Sequence, residues 1–231
     1  MKFSAKSKGP FGLIDRIHDL QSQLAKVYGR PTDAMRTDLR KDGKTVIFLH
    51  NPKTAGKSLR QFLHVKRHSH SLASNRLSEE NWLKTYSVTA VREPFERFLS
   101  GYYDRILKQN DNALVKLYGA EVKNITPFDY LDIIKETKIF GGIQTMWTDY
   151  PSVVKPRADL ILRYEEIVTW KEQLVAHGLD VADREFPHKN KSRRAESNHL
   201  KVLSMTKEEF TRLEALVREH FAGDYRAFGY A

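Results

Sequence analysis

The chain has 231 residues, a formal net charge of +10 and no cysteine. Its hydrophobic content of 40% is typical of a globular protein rather than a disordered one, and the missing cysteines exclude disulfides, zinc–thiolate sites and thiol catalysis. The basic charge indicates a polyanionic or phosphorylated partner, without choosing among nucleic acid, acidic glycan and anionic lipid.

The N-terminal part of the chain predicts no membrane or export signal. Residues 1–44 read as a basic arm, a helix over residues 13–28 that Gly29 and Pro31 end, and a polar loop over residues 30–44. No apolar run approaches the roughly 20 residues that span a bilayer, and no secretory cleavage pattern is present. The sequence therefore predicts a cytoplasmic location and no transmembrane segment.

The remaining elements alternate between strands and helices. Short apolar strands are predicted over residues 45–50, 86–91 and 159–162. Helices are predicted from Ser58, from Pro94, and over residues 127–135, 167–176 and 206–221. Short strands separated by helices predict an α/β protein with a central parallel sheet, built as a single domain over residues 45–231.

The segment Val46–Leu63 (VIFLHNPKTAGKSLRQFL) predicts a strand, a tight basic turn and the start of a helix. Proteins build phosphate cradles in this way, because N–H groups of the turn and of the helix start converge on the anion. Gly56-Lys57-Ser58 also occurs in the P-loop motif of ATP-binding proteins, but that motif needs a glycine where this chain has Asn51. A P-loop kinase or NTPase is therefore the second interpretation.

The turn from Pro52 to Leu59 resembles the 5′-phosphosulfate loop of sulfotransferases, although that family usually has Thr or Ser at the position of Lys57. These enzymes use 3′-phosphoadenosine 5′-phosphosulfate (PAPS) as donor and release adenosine 3′,5′-bisphosphate (PAP). The segment Val91–Tyr102 resembles the family's 3′-phosphate element. Two phosphate elements in this order are more specific than either alone, and the resemblance implies a P-loop-type three-layer α/β/α fold.

The resemblance also implies the residues that hold the donor. The loop would bind the 5′-phosphosulfate through Lys53, Thr54, Ala55, Gly56, Lys57 and Ser58. Arg92 and Ser100 would hold the 3′-phosphate, with Lys191 and Arg193 added from a late basic segment. The plainer interpretations are a solvent-facing Lys57, an Arg92 that pairs with a neighbouring glutamate, and a Ser100 on a helix surface.

A His-x-His pattern lies between the two phosphate elements, at His68 and His70, as in the uronyl and heparan 2-O-sulfotransferase branch. The resemblance makes His70 the base that takes the acceptor's hydroxyl proton, with the choice between the two histidines open, and makes Lys53 a catalytic cation. A surface histidine is the plainer interpretation. A metal pair is disfavoured because Lys66 and Arg67 would repel a cation, so no metal is expected.

The first interpretation is therefore a PAPS-dependent sulfotransferase that acts on an acidic or neutral glycan, or on another acceptor with a hydroxyl group. No nucleic-acid partner is expected, because no nucleic-acid-binding motif is present. The alternatives are the P-loop kinase or NTPase and a non-enzymatic polyanion-binding protein. The sequence specifies neither the acceptor nor the oligomeric state.

Overall fold

The structure is a computed structural model that describes residues 35–65, 70–107, 119–137, 142–187 and 203–230. The chain divides into two compact units. The sheet unit comprises Ala5–Arg92 and Gln144–Asn190, and the helical unit comprises Met1–Ser4, Glu93–Ile143 and Lys191–Ala231. The helix predicted over residues 13–28 lies outside the described residues.

The sheet unit contains a four-stranded sheet with strands in chain order. These strands are β1 (Arg36–Lys41), β2 (Lys44–Leu49), β3 (Thr85–Val91) and β4 (Leu160–Arg163). β2, β3 and β4 are parallel, whereas β1 is antiparallel to β2. The predicted α/β class and the three predicted strands are confirmed, with small differences at the strand ends.

The predicted loop over residues 30–44 is wrong where β1 lies. Leu39 is buried under the sheet although its neighbours in the strand are polar. Asp42 and Gly43 connect β1 to β2 with positive φ angles of 50 and 76 degrees, which suits the tight turn of a hairpin. The polar composition of these residues led to the loop prediction, and the Asp-Gly pair at residues 42 and 43 was the overlooked signal for a hairpin.

Helices follow the strands in both units. The α-helices are α1 (Gly56–Phe62), α2 (Glu79–Leu83), α3 (Pro94–Tyr102), α4 (Pro127–Thr137), α5 (Thr145–Thr148), α6 (Trp170–Ala176), α7 (Lys207–His220) and α8 (Ala222–Phe228). The described residues also include 3₁₀-helices at Ala73–Asn75, Gly119–Asn124 and Tyr164–Thr169, and a π-helical turn at Tyr103–Leu107. None of the helices in the described part of the chain combines the length and apolarity needed to cross a membrane.

Both faces of the sheet are covered, because side chains alternate along each strand. Val46 and Phe48 of β2 point to one face, where they pack with residues from α1 and α6: Leu59, Phe62, Trp170 and Leu174. Ile47 and Leu49 point to the other face, where they pack with Ala73, Leu77, Trp82 and Tyr150. The sheet unit is therefore layered α/β/α.

In the helical unit, α3 buries the predicted side, formed by Phe95, Phe98, Leu99 and Tyr102. The carboxylate of Glu93 caps this helix by accepting a hydrogen bond of 2.6 Å from the N–H of Glu96. The hydroxyl of Tyr225 in α8 donates to the same carboxylate. Burial raises the pKa of Tyr225 and this hydrogen bond adds to the shift, so the tyrosine stays a donor that fastens α8 to the start of α3.

Candidate active site

The turn between β2 and α1 has the backbone shape of an anion cradle. Lys53 and Ala55 both adopt left-handed conformations, with φ angles of 70 and 57 degrees, and α1 begins immediately afterwards at Gly56. A left-handed residue followed by a right-handed one curves successive N–H groups towards one side, which is the geometry of an anion-binding nest. L-residues adopt this backbone at an energetic cost, so the strain itself points to a functional turn.

The side chains of the turn divide into buried and accessible groups. The hydroxyl of Thr54 donates 2.8 Å to the carbonyl of Asn51, so Thr54 offers a ligand its backbone rather than its side chain. Ser58 is buried as well. Lys53 is half-buried and Lys57 is exposed, and the exposure of Lys57 agrees with the solvent-facing interpretation.

His50 was not expected in the site, yet its buried ring lies at the centre of it. The ring stacks on Phe48 with a centroid distance of 5.5 Å and faces His70 at 4.1 Å. A Cβ atom added to Gly56 would lie 2.0 Å from Nε2 of His50. The position of the His50 ring therefore requires a glycine at residue 56, whether or not a phosphate also approaches the backbone there. The sequence signal was a histidine that ends an apolar strand directly before a phosphate turn.

Gly56→Ala is accordingly expected to destabilise the protein by about 1–3 kcal/mol, the usual cost of forcing extra volume into a packed site. The cost should largely vanish in a His50→Ala background, because the space is then open and alanine favours a helix more than glycine does. Urea unfolding of the wild type, both single variants and the double variant measures this coupling. Equal costs in the two backgrounds would show that His50 is not the obstacle.

His70 is held so that one ring nitrogen can act as a base. Its Nδ1 lies 3.4 Å from the carbonyl oxygen of His50. Since a carbonyl can only accept, this contact requires the proton on Nδ1, so the lone pair of the neutral ring would be on Nε2. The indole N–H of Trp147 donates 3.2 Å to the carbonyl of His70, which fixes its backbone. His70 is exposed, whereas His68 lies outside the described residues.

Arg92 lies at the end of β3, beside the end of β2, as the parallel pairing requires. It is 4% exposed, and its guanidinium carbon lies 4.3 Å from the centre of the Tyr164 ring. Cation–π stacking of this kind restricts a guanidinium to one plane. The arginine is thus held in place, in line with a binding role, at the strand end where ligands of α/β sheets bind.

The buried amide of Gln144 connects Arg92 to the start of the turn. The N–H of Arg92 donates 2.9 Å to Oε1 of Gln144, and Nε2 of Gln144 donates 2.8 Å to the carbonyl of Arg92. The side chain of Asn51 donates 3.0 Å to the same Oε1 and 3.0 Å to the carbonyl of Ala90. Asn51, which replaces the glycine of ATP-binding loops, therefore connects the end of β2 to β3 and to Gln144 through hydrogen bonds.

The remaining predicted residues lie in the helical unit or outside the described residues. Ser100 lies half-buried on α3 of the helical unit. Lys191 and Arg193 lie outside the described residues. Among the residues that are described, no three His, Asp or Glu side chains are placed to hold a metal ion.

Comparison with known protein families gives one match for the chain. A family model with the description "Sulfotransferase family" matches residues 39–231. No curated protein and no solved structure matches the chain. The matched range includes the turn, His70, Arg92 and Gln144, and it begins inside β1.

Proposed function

We propose, because the chain belongs to the sulfotransferase family, that it transfers the sulfuryl group of PAPS to an acceptor hydroxyl, with His70 as the base. Sulfuryl transfer follows from family membership, while the donor, the base and the acceptor class form the proposal. One observation supports the proposal most directly: His50 lies between the turn and His70 and contacts the proposed base. Its backbone leads into the turn, and its carbonyl and ring both contact His70.

The described residues fit the two ends of the donor. The strained turn from Lys53 to Ser58 offers backbone N–H groups and an ammonium to the 5′-phosphosulfate. Arg92, which Gln144 holds beside this turn, offers a planar guanidinium to the 3′-phosphate. The 3′-phosphate motif adds Ser100, and the late basic segment adds Lys191 and Arg193; these three rest on resemblance.

The chemistry requires one proton acceptor and one stabilised leaving group. His70 would take the hydroxyl proton on Nε2 as the acceptor oxygen bonds to sulfur. Lys53 would stabilise the negative charge that develops on the bridging oxygen as the bond from sulfur to that oxygen breaks and PAP departs. With these two groups in place, fixed cations provide the electrostatic stabilisation, and we propose no metal.

An acidic or neutral glycan is the acceptor class that we propose. The His-x-His pattern supports it, because that pattern occurs in the branch that sulfates uronic acids. The net charge of +10 also supports it, since a basic surface attracts a polyanionic acceptor.

The donor is tested by calorimetric titration of the full chain with PAP and with ATP plus magnesium. We expect PAP to bind more tightly and without magnesium, because the loop lacks the glycine of the ATP motif at Asn51. Incubation with radiolabelled PAPS and a panel of glycans, phenols and peptides should then label a glycan. Tighter, magnesium-dependent binding of ATP would instead favour a P-loop kinase or NTPase.

A further inference from the structure

We propose that Gln144 is a positioning residue that couples the two phosphate-binding elements, so that they hold a nucleotide phosphorylated at both ends. The inference rests on the proposed function, because it concerns the binding of PAPS and PAP. Gln144 is 0% exposed and lies outside both phosphate motifs of the sequence. Its side chain contacts the backbone of Arg92 and the side chain of Asn51, which begins the turn.

The orientation of the Gln144 amide is determined by its partners. The N–H of Arg92 can only donate, so it must face Oε1, and the carbonyl of Arg92 can only accept, so it must face Nε2. A flipped amide would set like groups against each other at both contacts. Because the amide is fully buried, water cannot replace a hydrogen bond that is lost there.

These contacts continue the sheet beyond its last main-chain pairing. β2 and β3 pair up to Leu49 and Thr89, and the cradle and Arg92 both lie after that point. Beyond that point the segments that follow β2 and β3 are connected through side chains, with 3.0 Å between Nδ2 of Asn51 and Oε1 of Gln144. The distance between the turn and Arg92 is therefore set by two buried side-chain amides, those of Asn51 and Gln144, at a point beyond the last strand pairing.

This arrangement matters only to a ligand that engages both elements. A nucleotide with two phosphates gains affinity when both binding groups stand at the right separation, because the second contact is then intramolecular. A nucleotide with one phosphate needs only one element. Loss of Gln144 should accordingly weaken PAP selectively, whereas general destabilisation would affect all nucleotides alike.

The test uses Gln144→Met in the full chain, because methionine preserves the length of the side chain and removes its hydrogen bonds. Affinities for PAP, adenosine 5′-phosphate and adenosine 3′-phosphate are measured by calorimetry, with displacement titrations for weak ligands. We expect PAP affinity to fall about tenfold, because its two phosphate contacts no longer form at a fixed separation, and the affinity for each monophosphate to change by less than about threefold. Asn51→Ala, which removes the hydrogen bonds from the turn to Gln144 and to the carbonyl of Ala90 and leaves the bonds between Gln144 and Arg92, should show the same selective loss and provides the test if Gln144→Met does not fold.

Gln173→Met is the matched control, since the Gln173 amide also donates hydrogen bonds, to Glu166 and Thr169, but on α6. It should bind all three nucleotides like the wild type. Unchanged PAP affinity in folded Gln144→Met, or an equal loss for all three nucleotides, would overturn the positioning role alone. A wild type that fails to bind PAP would overturn the proposed donor, and the positioning role with it.

Discussion

His70→Ala is expected to lower the rate of sulfuryl transfer by about 10²–10⁴-fold, the usual contribution of a general base, with PAP affinity close to that of the wild type. The reason is the contact of Nδ1 with the carbonyl of His50, which leaves Nε2 of the neutral ring as the nitrogen that can accept a proton. Single-turnover rates with labelled PAPS and calorimetry with PAP separate the two effects.

The control for this experiment is His177→Ala, an exposed histidine at the end of α6 whose Nδ1 lies 3.2 Å from the hydroxyl of Tyr86. That variant should transfer sulfuryl groups at the wild-type rate. If His70→Ala keeps full turnover, His70 is not the base, and His68 becomes the residue to replace next. A joint loss of turnover and PAP binding would show that His70 supports the cradle instead.

Lys53→Ala is expected to reduce kcat by about 10²–10³-fold. This is the usual loss when an enzyme is deprived of one group that stabilises the charge developing in the transition state. The lysine is half-buried within the cradle, so its ammonium is less screened there than on an open surface. Alanine meets the same difficulty as lysine at a φ of 70 degrees, so the variant removes the ammonium and leaves the backbone cost in place. Pre-steady-state kinetics with saturating PAPS measure the effect.

Lys44→Ala removes the same charge from an exposed position at the start of β2. It should change kcat little, which would show that the effect of Lys53→Ala is local rather than a consequence of net charge. A loss confined to KM, with kcat retained, would make Lys53 a binding residue only. Equal losses in the two lysine variants would contradict a specific role for Lys53 altogether.

Local sequence patterns were enough to predict most of the fold, including the strand, turn and helix over residues 46–63. Apolar runs marked β2, β3 and β4, and the proline at residue 94 marked the start of α3, because these features act within a few residues. The polar strand β1 was missed because its buried side is a single leucine, Leu39, between charged neighbours. Its stability comes from pairing with β2, which composition does not display.

The parts of the site that escaped prediction depend on distant contacts. Gln144 lies 93 residues from Asn51 along the chain, so no local pattern could assign it a role. His50 is adjacent to the turn, but its importance follows from its packing against Gly56 and His70, which only the folded chain creates. The sequence explained Gly56 by the close approach of phosphate to the backbone. The structure adds a steric reason, because a side chain at residue 56 would collide with the ring of His50.

Strand β1 also bears on how the protein avoids self-association. It lies at the edge of the described sheet and covers β2, whose sequence KTVIFL is apolar and largely buried. Without β1, the unpaired backbone of β2 would be a template for intermolecular strand addition. The exposed arginines Arg36 and Arg40 repel a second copy of the same edge. We therefore expect part of the positive charge of the chain to oppose aggregation rather than to attract a partner, and a fragment trimmed to begin at residue 45 to aggregate more readily.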